Sequence, residues 1–257
     1  MSVQEQRAEG RWIYGVVPAG ADLRQLQSGA NNGPEVWVVE SDELGAIVGP
    51  VPRNDPRATR DQALAHSRVL DAAVVDAPVV PFRFGMMSPG DDDGIRRDLL
   101  DAYHDQLAPL LEQLKGVVQM TLKVDYVEDV LLREILDSEP EIARLREAVR
   151  GVPEDAARNE RIRLGELINA AVDARRQRDA AEIVQALQPE ASGAAPDQLE
   201  REYMVLNEAF LIERERRHEF EEAVDRVAGQ YPERMRFRLL GPMPAYNFID
   251  LQQAAWA

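Results

Sequence analysis

The chain has 257 residues, 45% of them hydrophobic and none of them cysteine, and its formal net charge is −16. This length predicts roughly two domains, and the missing thiols exclude disulfide bonds, thiolate metal sites and cysteine nucleophiles. Because both halves of the chain are acidic, nucleic acid and anionic membranes are poor partners. We expect no signal peptide and no membrane span, and the composition fits a cytoplasmic protein.

Short β-rich runs open the chain and predict three strands. Residues 12–17 predict the first strand, and residues 36–39 and 46–48 predict a hairpin closed by the polar turn at 40–43. Apolar residues then recur at steps of three and four over residues 59–77, which is the pattern of an amphipathic helix.

A strand, a helix and a further strand are predicted next. The first of these covers residues 79–84, and the helix covers 95–114, where Pro109 should kink it or end its first segment. Residues 118–126 alternate between apolar and polar side chains, which is typical of a strand. The order β-β-β-α-β-α-β predicts an α+β domain over residues 1–126, with an elaborated ferredoxin-like antiparallel sheet and helices on one face.

Residues 127–257 predict a second, helix-rich α+β domain. Within it, Arg175 and Asp179 are four residues apart and support an exposed helix face. The run 202–212 fits a strand or a helix, and its alternation favours the strand. The predicted elements are helices at 128–136, 140–149 and 154–187, a flexible loop at about 189–198, the strand at 202–212, a helix ending near Gly229, and a strand at 235–239 that Gly241 and Pro242 end.

No arrangement of residues in the sequence predicts an active site, a cofactor or a metal. His66 lies on the apolar stripe of its predicted helix, which favours a buried structural histidine over a catalytic base. The three acids at 91–93 open a predicted helix, where a capping role explains them without an ion. The sequence contains neither a glycine-rich nucleotide loop nor a Gly-x-Ser-x-Gly elbow.

Four blocks of sequence resemble, by their order and spacing, one known family. They are Tyr14-Gly-Val-Val-Pro18, Val79-Val-Pro-Phe-Arg-Phe-Gly85, Asn207-Glu-Ala-Phe-Leu-Ile-Glu213 and the ending Leu239-Leu-Gly-Pro-Met-Pro-Ala-Tyr-Asn-Phe248. Over residues 11–250 the chain is therefore similar to the gas vesicle protein F/L family. Phe82, Met86 and Met243 depart from residues that are common in the family, which leaves the F type and the L type both open.

The resemblance implies a non-enzymatic accessory or minor structural protein of gas vesicle formation, with two α+β domains and without a cofactor. Its implied location is the gas vesicle and the cytoplasm. Its implied partners are the small hydrophobic shell subunit, gas vesicle protein A, and other vesicle accessory proteins. An acidic partner would mask the apolar surfaces of such a subunit and keep the complex dispersed before assembly.

We expect the partner to be contacted by an exposed sheet face or edge that carries Arg83, Arg236 and Arg238, with Tyr246 and Phe248 as apolar anchors. A purely structural role is open for the same residues, since aromatic side chains can dock the tail and arginines can pair with nearby acids. The alternative functions are a small-ligand binder or enzyme that uses a ferredoxin-like sheet surface, and a regulatory oligomer unrelated to vesicles. A deep pocket lined by a histidine and carboxylates would favour the enzyme.

Overall fold

The structure, a computed structural model, describes residues 10–24, 26, 35–51 and 59–249. Within these residues the chain forms nine β-strands and seven α-helices. The strands make two antiparallel sheets, which confirms the α+β class.

Two compact units make up the protein. One comprises the residues up to Met120, Leu211–Glu215 and the residues from Gly241 onward, and the other comprises Thr121–Phe210 and Arg216–Leu240. The predicted limits of 1–126 and 127–257 concern domains that fold independently. Compactness alone does not measure that property, so these limits stay a prediction.

The first unit is built on one sheet. In chain order its elements are β1 (Arg11–Pro18), β2 (Trp37–Ser41), β3 (Leu44–Pro50), α1 (Arg60–Asp76), β4 (Val80–Pro81), β5 (Met87–Ser88), α2 (Asp92–Ile95) and α3 (His104–Gln113). The strand order is β2-β3-β1-β4, and β5 also pairs with β1. The first strand and the hairpin of β2 and β3 confirm the sequence prediction.

Helix α1 begins at a capping box. Thr59 Oγ1 accepts a hydrogen bond from the Gln62 backbone N–H at 3.2 Å, and Gln62 Oε1 accepts one from the Thr59 N–H at 3.0 Å. These bonds satisfy backbone donors that have no partner within the first helical turn. The helix ends where Ala77 turns to an extended conformation, directly before Pro78, and this confirms the predicted helix at 59–77.

Helices cover both faces of the first sheet rather than the one face that was predicted. Ile47 of β3 belongs to a buried cluster with Leu70 and Val74 of α1, whereas its neighbours Ala46 and Val48 belong to the cluster built on α2 and α3. Successive residues of a strand point to opposite faces, so the two clusters lie on opposite sides of the sheet. β1 and β3 are almost continuously apolar, and such strands need cover on both faces.

Two further details of the first unit differ from the prediction. The strand expected at 79–84 pairs only at Val80–Pro81, after which the chain turns and the Met86 N–H donates to the Arg83 carbonyl at 3.2 Å. Pro109 lies inside α3 without ending it. The interruption comes earlier, at the π-helical turn Arg96–Asp101.

The second unit combines a sheet with the longer helices. Its elements are β6 (Val117–Tyr126), α4 (Glu128–Ser138), α5 (Pro140–Ala148), α6 (Arg158–Leu187), β7 (Gly193–Pro196), β8 (Met204–Glu213), α7 (Arg217–Ala228) and β9 (Met235–Met243). Three of these strands, β6, β8 and β9, also contribute residues to the first unit. The strand order is β7-β8-β6-β9. The predictions of β6, β8 and the four helices are confirmed.

Both edge strands of this sheet differ from the prediction. Residues 189–198 were predicted to be a flexible loop, yet they contain β7, which has Gly and Ala where strands usually have β-branched residues. Gly241 and Pro242 do not end β9, which continues to Met243. An edge strand tolerates proline because half of its N–H groups have no partner in the ladder.

A buried polar cluster lies beneath α6 in the second unit. Asp179 is 2% exposed and accepts hydrogen bonds from the Tyr126 hydroxyl and from Arg234 Nη2, the latter at 2.8 Å. Arg234 Nε also donates to Glu134 at 2.9 Å. Burial, with the hydrogen bond to Asp179, raises the pKa of the Tyr126 hydroxyl, which therefore keeps its proton. The predicted exposed pair of Asp179 with Arg175 is wrong, because Asp179 lies on the buried face of the helix.

His66 lies among aromatic rings in the core of the first unit. Its Nδ1 accepts a hydrogen bond from Trp12 Nε1 at 3.2 Å, and its Nε2 lies 3.0 Å from the Phe82 carbonyl. The tautomer that carries its proton on Nε2 satisfies both contacts. The ring also stacks on Tyr14, with 5.1 Å between centroids. Burial lowers the pKa of the His66 imidazole, so the ring is held in its neutral form as a structural residue.

Replacement of His66 by phenylalanine should destabilise the protein more at neutral than at acidic pH. At about pH 7.5 the variant loses both ring hydrogen bonds, which should lower the free energy of unfolding by about 1–3 kcal/mol. Below the unfolded pKa of about 6.5 the unfolded wild type binds a proton that the folded state does not, so wild-type stability falls. The gap measured by urea unfolding should therefore narrow at about pH 5.5, and a gap that widens would contradict this account.

Replacement of Asp179 by alanine should lower the free energy of unfolding by about 3 kcal/mol, because a buried hydroxyl and a guanidinium lose their shared acceptor. The matched control is Asp173→Ala on the same helix, whose exposed carboxylate pairs with Arg176 and should contribute less than about 1 kcal/mol. Urea unfolding of both variants measures the difference. Equal losses would show that Asp179 does not anchor the cluster.

Candidate partner-binding surface

Arg83 lies in the turn between β4 and β5 of the first unit, and its side chain is exposed. The residues on either side hold the turn in place. Phe82 is buried in the core, and the ring of Phe84 packs against Trp12 with 5.2 Å between centroids. Among the described residues the Arg83 guanidinium has neither a hydrogen bond nor an ion pair.

Arg236 and Arg238 lie on the edge strand β9 of the second unit. Both side chains are exposed. Phe237, which lies between them, and Leu239, which follows Arg238, are partly buried. Phe237 stacks on Tyr231, with 6.1 Å between ring centroids. The alternation places the two arginines together on one face of the strand, followed there by the exposed Leu240, and places Phe237 and Leu239 on the other face, as the sequence pattern predicts.

Arg238 has an electrostatic effect on Glu200, which lies in the segment before β8. Glu200 receives a hydrogen bond from Lys123, which is the main cause of its lowered pKa, and the charges of Arg201 and Arg238 lower this pKa further. Arg238 itself forms no ion pair among the described residues. The face of β9 that carries the arginines thus presents two exposed guanidiniums, although the whole chain is acidic.

Tyr246 and Phe248 lie in a single 3₁₀ turn, Tyr246–Phe248, that belongs to the first unit. Tyr246 packs against the buried cluster around α1, and Phe248 packs against the cluster around α2 and α3. Burial, with a smaller effect from the charge of Asp71, raises the pKa of the Tyr246 hydroxyl. Neither ring is fully buried. Both aromatics therefore dock the tail, and each keeps part of its surface exposed.

A pair of amide side chains holds this tail. Gln119 of β6 is 2% exposed, and its Nε2 donates to Asn247 Oδ1 at 2.9 Å. In return, the Asn247 backbone N–H donates to Gln119 Oε1 at 3.1 Å. The sequence pattern placed Gln119 on a polar face of its strand, and no local signal links two residues that are 128 positions apart. The two amides fix the position of Tyr246 and Phe248.

The predicted surface is thus distributed over both units. Arg83, Tyr246 and Phe248 belong to the first unit, and Arg236 and Arg238 belong to the second. The structure brings Arg236 and Arg238 together on one strand face and the two aromatics together in one turn.

The acidic residues at 91–93 cap a helix and form ion pairs. Asp91 Oδ1 accepts a hydrogen bond from a backbone N–H of α2 at 3.1 Å, which confirms the predicted cap. Asp92 pairs with Arg11 at 2.7 Å and Asp93 with Arg96 at 2.6 Å. The described residues contain no group of three or more side chains placed to hold a metal ion.

Open grooves occur in both units. One in the first unit has a volume of about 530 Å³, with apolar walls from β3 and α3 and with Glu112 and Lys115 at its rim. Two in the second unit lie along α4, α5 and α6. None of these described grooves is lined by His66. Among the helices that the structure describes, none combines the length and the apolar character needed to span a membrane.

Comparison with known proteins relates the chain to one family along nearly its whole length. The family model described as gas vesicle synthesis protein GvpL/GvpF matches residues 10–250. Gas vesicle protein F of Streptomyces sp. (strain CB03234) is 31% identical over 241 residues, which cover 93% of this chain and 99% of that protein. Gas vesicle protein L of the same organism is 28% identical over 268 residues, which cover 93% and 90% of the two chains.

The fold is also similar to a solved structure. The crystal structure of the gas vesicle protein GvpF from Anabaena sp. PCC7120 superposes with a TM-score of 0.76 at 22% identity and covers 94% of this chain and 98% of that one. Its identity is low, so this likeness speaks for the fold alone. The match of the family model over residues 10–250 and the identity to the Streptomyces protein carry the assignment. The chain belongs to the GvpL/GvpF family of gas vesicle synthesis proteins.

Proposed function

We propose that this protein is a non-enzymatic accessory or minor structural protein of gas vesicle formation that binds the hydrophobic shell subunit, gas vesicle protein A, and other vesicle assembly proteins. The observation that carries the proposal is membership of a gas vesicle synthesis family over residues 10–250. The net charge of −16 supports it, because a strongly charged partner keeps an apolar subunit dispersed. The protein would act in the cytoplasm and at the gas vesicle.

The partner would be bound by Arg83, Arg236 and Arg238, with the exposed parts of Tyr246 and Phe248 as apolar contacts. Three exposed guanidiniums without ion pairs among the described residues support this choice. Many other arginines of the protein are paired, for example Arg234 with Glu134 and Asp179. A guanidinium that is already free loses no internal partner when it binds a carboxylate.

Co-expression with each gas vesicle protein in turn, followed by pull-down at moderate salt, tests the function. We expect retention of the shell subunit or of another assembly protein. Failure to retain any vesicle protein would overturn the proposal.

Charge reversal tests the surface. Arg83→Glu and Arg238→Glu should each lower the amount of shell subunit that co-purifies by about tenfold, because the new carboxylate repels the partner's carboxylate that the arginine would attract. Both substitutions should leave the thermal midpoint unchanged. Arg68→Glu on α1 and Arg226→Glu on α7 are matched controls, since both are exposed and have no ion pair among the described residues. The proposed surface is wrong if reversal at Arg83 and Arg238 affects retention no more than these controls do.

The tail offers a separate test. Asn247→Ala removes the hydrogen bond that Gln119 donates to the tail, so the free energy of unfolding should fall by about 1 kcal/mol. If Tyr246 and Phe248 contact the partner, retention measured well below the thermal midpoint should fall as well, because one of the two hydrogen bonds that position the rings is lost and only the bond from the backbone N–H of residue 247 to Gln119 remains. Reduced stability with full retention would assign the aromatics to the fold alone.

A further inference from the structure

β9 is an open edge of the second sheet. Its only neighbour in the described sheet is β6, and residues 236–240 form no backbone hydrogen bond outside the ladder among the described residues. In an antiparallel edge strand, alternate residues direct their N–H and C=O groups away from the sheet. β9 is nine residues long, whereas β7 at the opposite edge has four. Within the part of the chain that the structure describes, the long edge therefore presents a row of backbone groups without a partner.

The side chains of this edge divide by charge and polarity. Arg236 and Arg238 are exposed on one face, and Phe237 and Leu239 are partly buried on the other. A strand added beside β9 would continue both faces, because directly opposite residues of paired strands share a face. It would meet two cations and Leu240 on one side, and the apolar side chains of Phe237 and Leu239 on the other.

We propose that β9 binds an extended segment of a partner by strand addition, and that this segment carries carboxylates at alternate positions opposite Arg236 and Arg238 and apolar side chains between them. Backbone hydrogen bonds give the affinity, and the two arginines give the specificity for an acidic segment. This inference rests on the proposed function only in taking the partner to be a vesicle protein.

A second copy of this chain fits the edge poorly. In an antiparallel pairing of two β9 strands centred on Phe237, Arg236 of one copy stands opposite Arg238 of the other, and like charges directly opposite destabilise a strand pair. Charge complementarity therefore favours an acidic segment of another protein.

The probe is a fluorescent peptide of the same length as β9 in which valine and glutamate alternate, titrated with the full chain at low and moderate salt. A companion peptide carries lysine in place of glutamate. We expect binding of the glutamate peptide only, weakened at least about tenfold by Arg236→Glu/Arg238→Glu. The control Arg158→Glu/Arg226→Glu makes the same change in net charge on exposed helix positions and should keep the affinity.

N-methylated peptides separate strand addition from simple charge attraction. Methylation of one alternate set of backbone amides should abolish binding, and methylation of the other set should not, since only one edge of the peptide pairs with β9. Hydrogen exchange at residues 236–240 should slow on binding. Equal binding of both methylated sets, binding of the lysine peptide, or no binding at all would overturn the inference. The last result would leave the arginines as protection of the edge against aggregation.

The peptide assay contains no vesicle protein, so it tests strand addition independently of the proposed function. Retention of vesicle proteins without peptide binding overturns strand addition and leaves the function standing. Peptide binding at β9 without retention of any vesicle protein overturns the function and supports the edge site.

Discussion

Backbone N–H and C=O groups in a sheet need partners, and this constraint decides which strands of the protein are enclosed and which stay open. β1 and β3 in the first sheet, and β6 and β8 in the second, have neighbours on both sides and are mostly buried on both faces. Among the strands that the structure describes, β9 has a neighbour on one side only. This edge strand also carries the exposed side chains of Arg236 and Arg238, so the proposed binding surface lies where the sheet ends.

Most of the elements could be predicted from the sequence because their signals are local. The alternation in β6, the three- and four-residue spacing in α1 and the polar turn between β2 and β3 each lie within a short window. β7 could not be predicted, since its Gly and Ala residues are held by pairing with β8 and not by their own preference. The helices on both faces of the first sheet were missed because periodicity does not tell which element covers a face.

The candidate surface divides in the same way. The exposure of Arg236 and Arg238 follows from alternation along β9 and was predictable. The docking of Tyr246 and Phe248 depends on Gln119, and the burial of Asp179 depends on Tyr126 and Arg234, which are remote in the sequence. A charged or amide side chain is kept inside a core only when a partner is present, and the partner is visible only in the folded chain.

Charge makes an open edge selective. An uncharged edge would pair with any extended segment, including a second copy of the chain, whereas Arg236 and Arg238 place like charges together in such a pair. The same side chains favour a segment of opposite charge. The net charge of −16 repels an acidic partner at a distance, but this repulsion is screened beyond roughly 10 Å at about 0.1 M salt. In the proposed strand addition, association would therefore depend on the short-range contacts of the segment with Arg236, Arg238 and the backbone of β9.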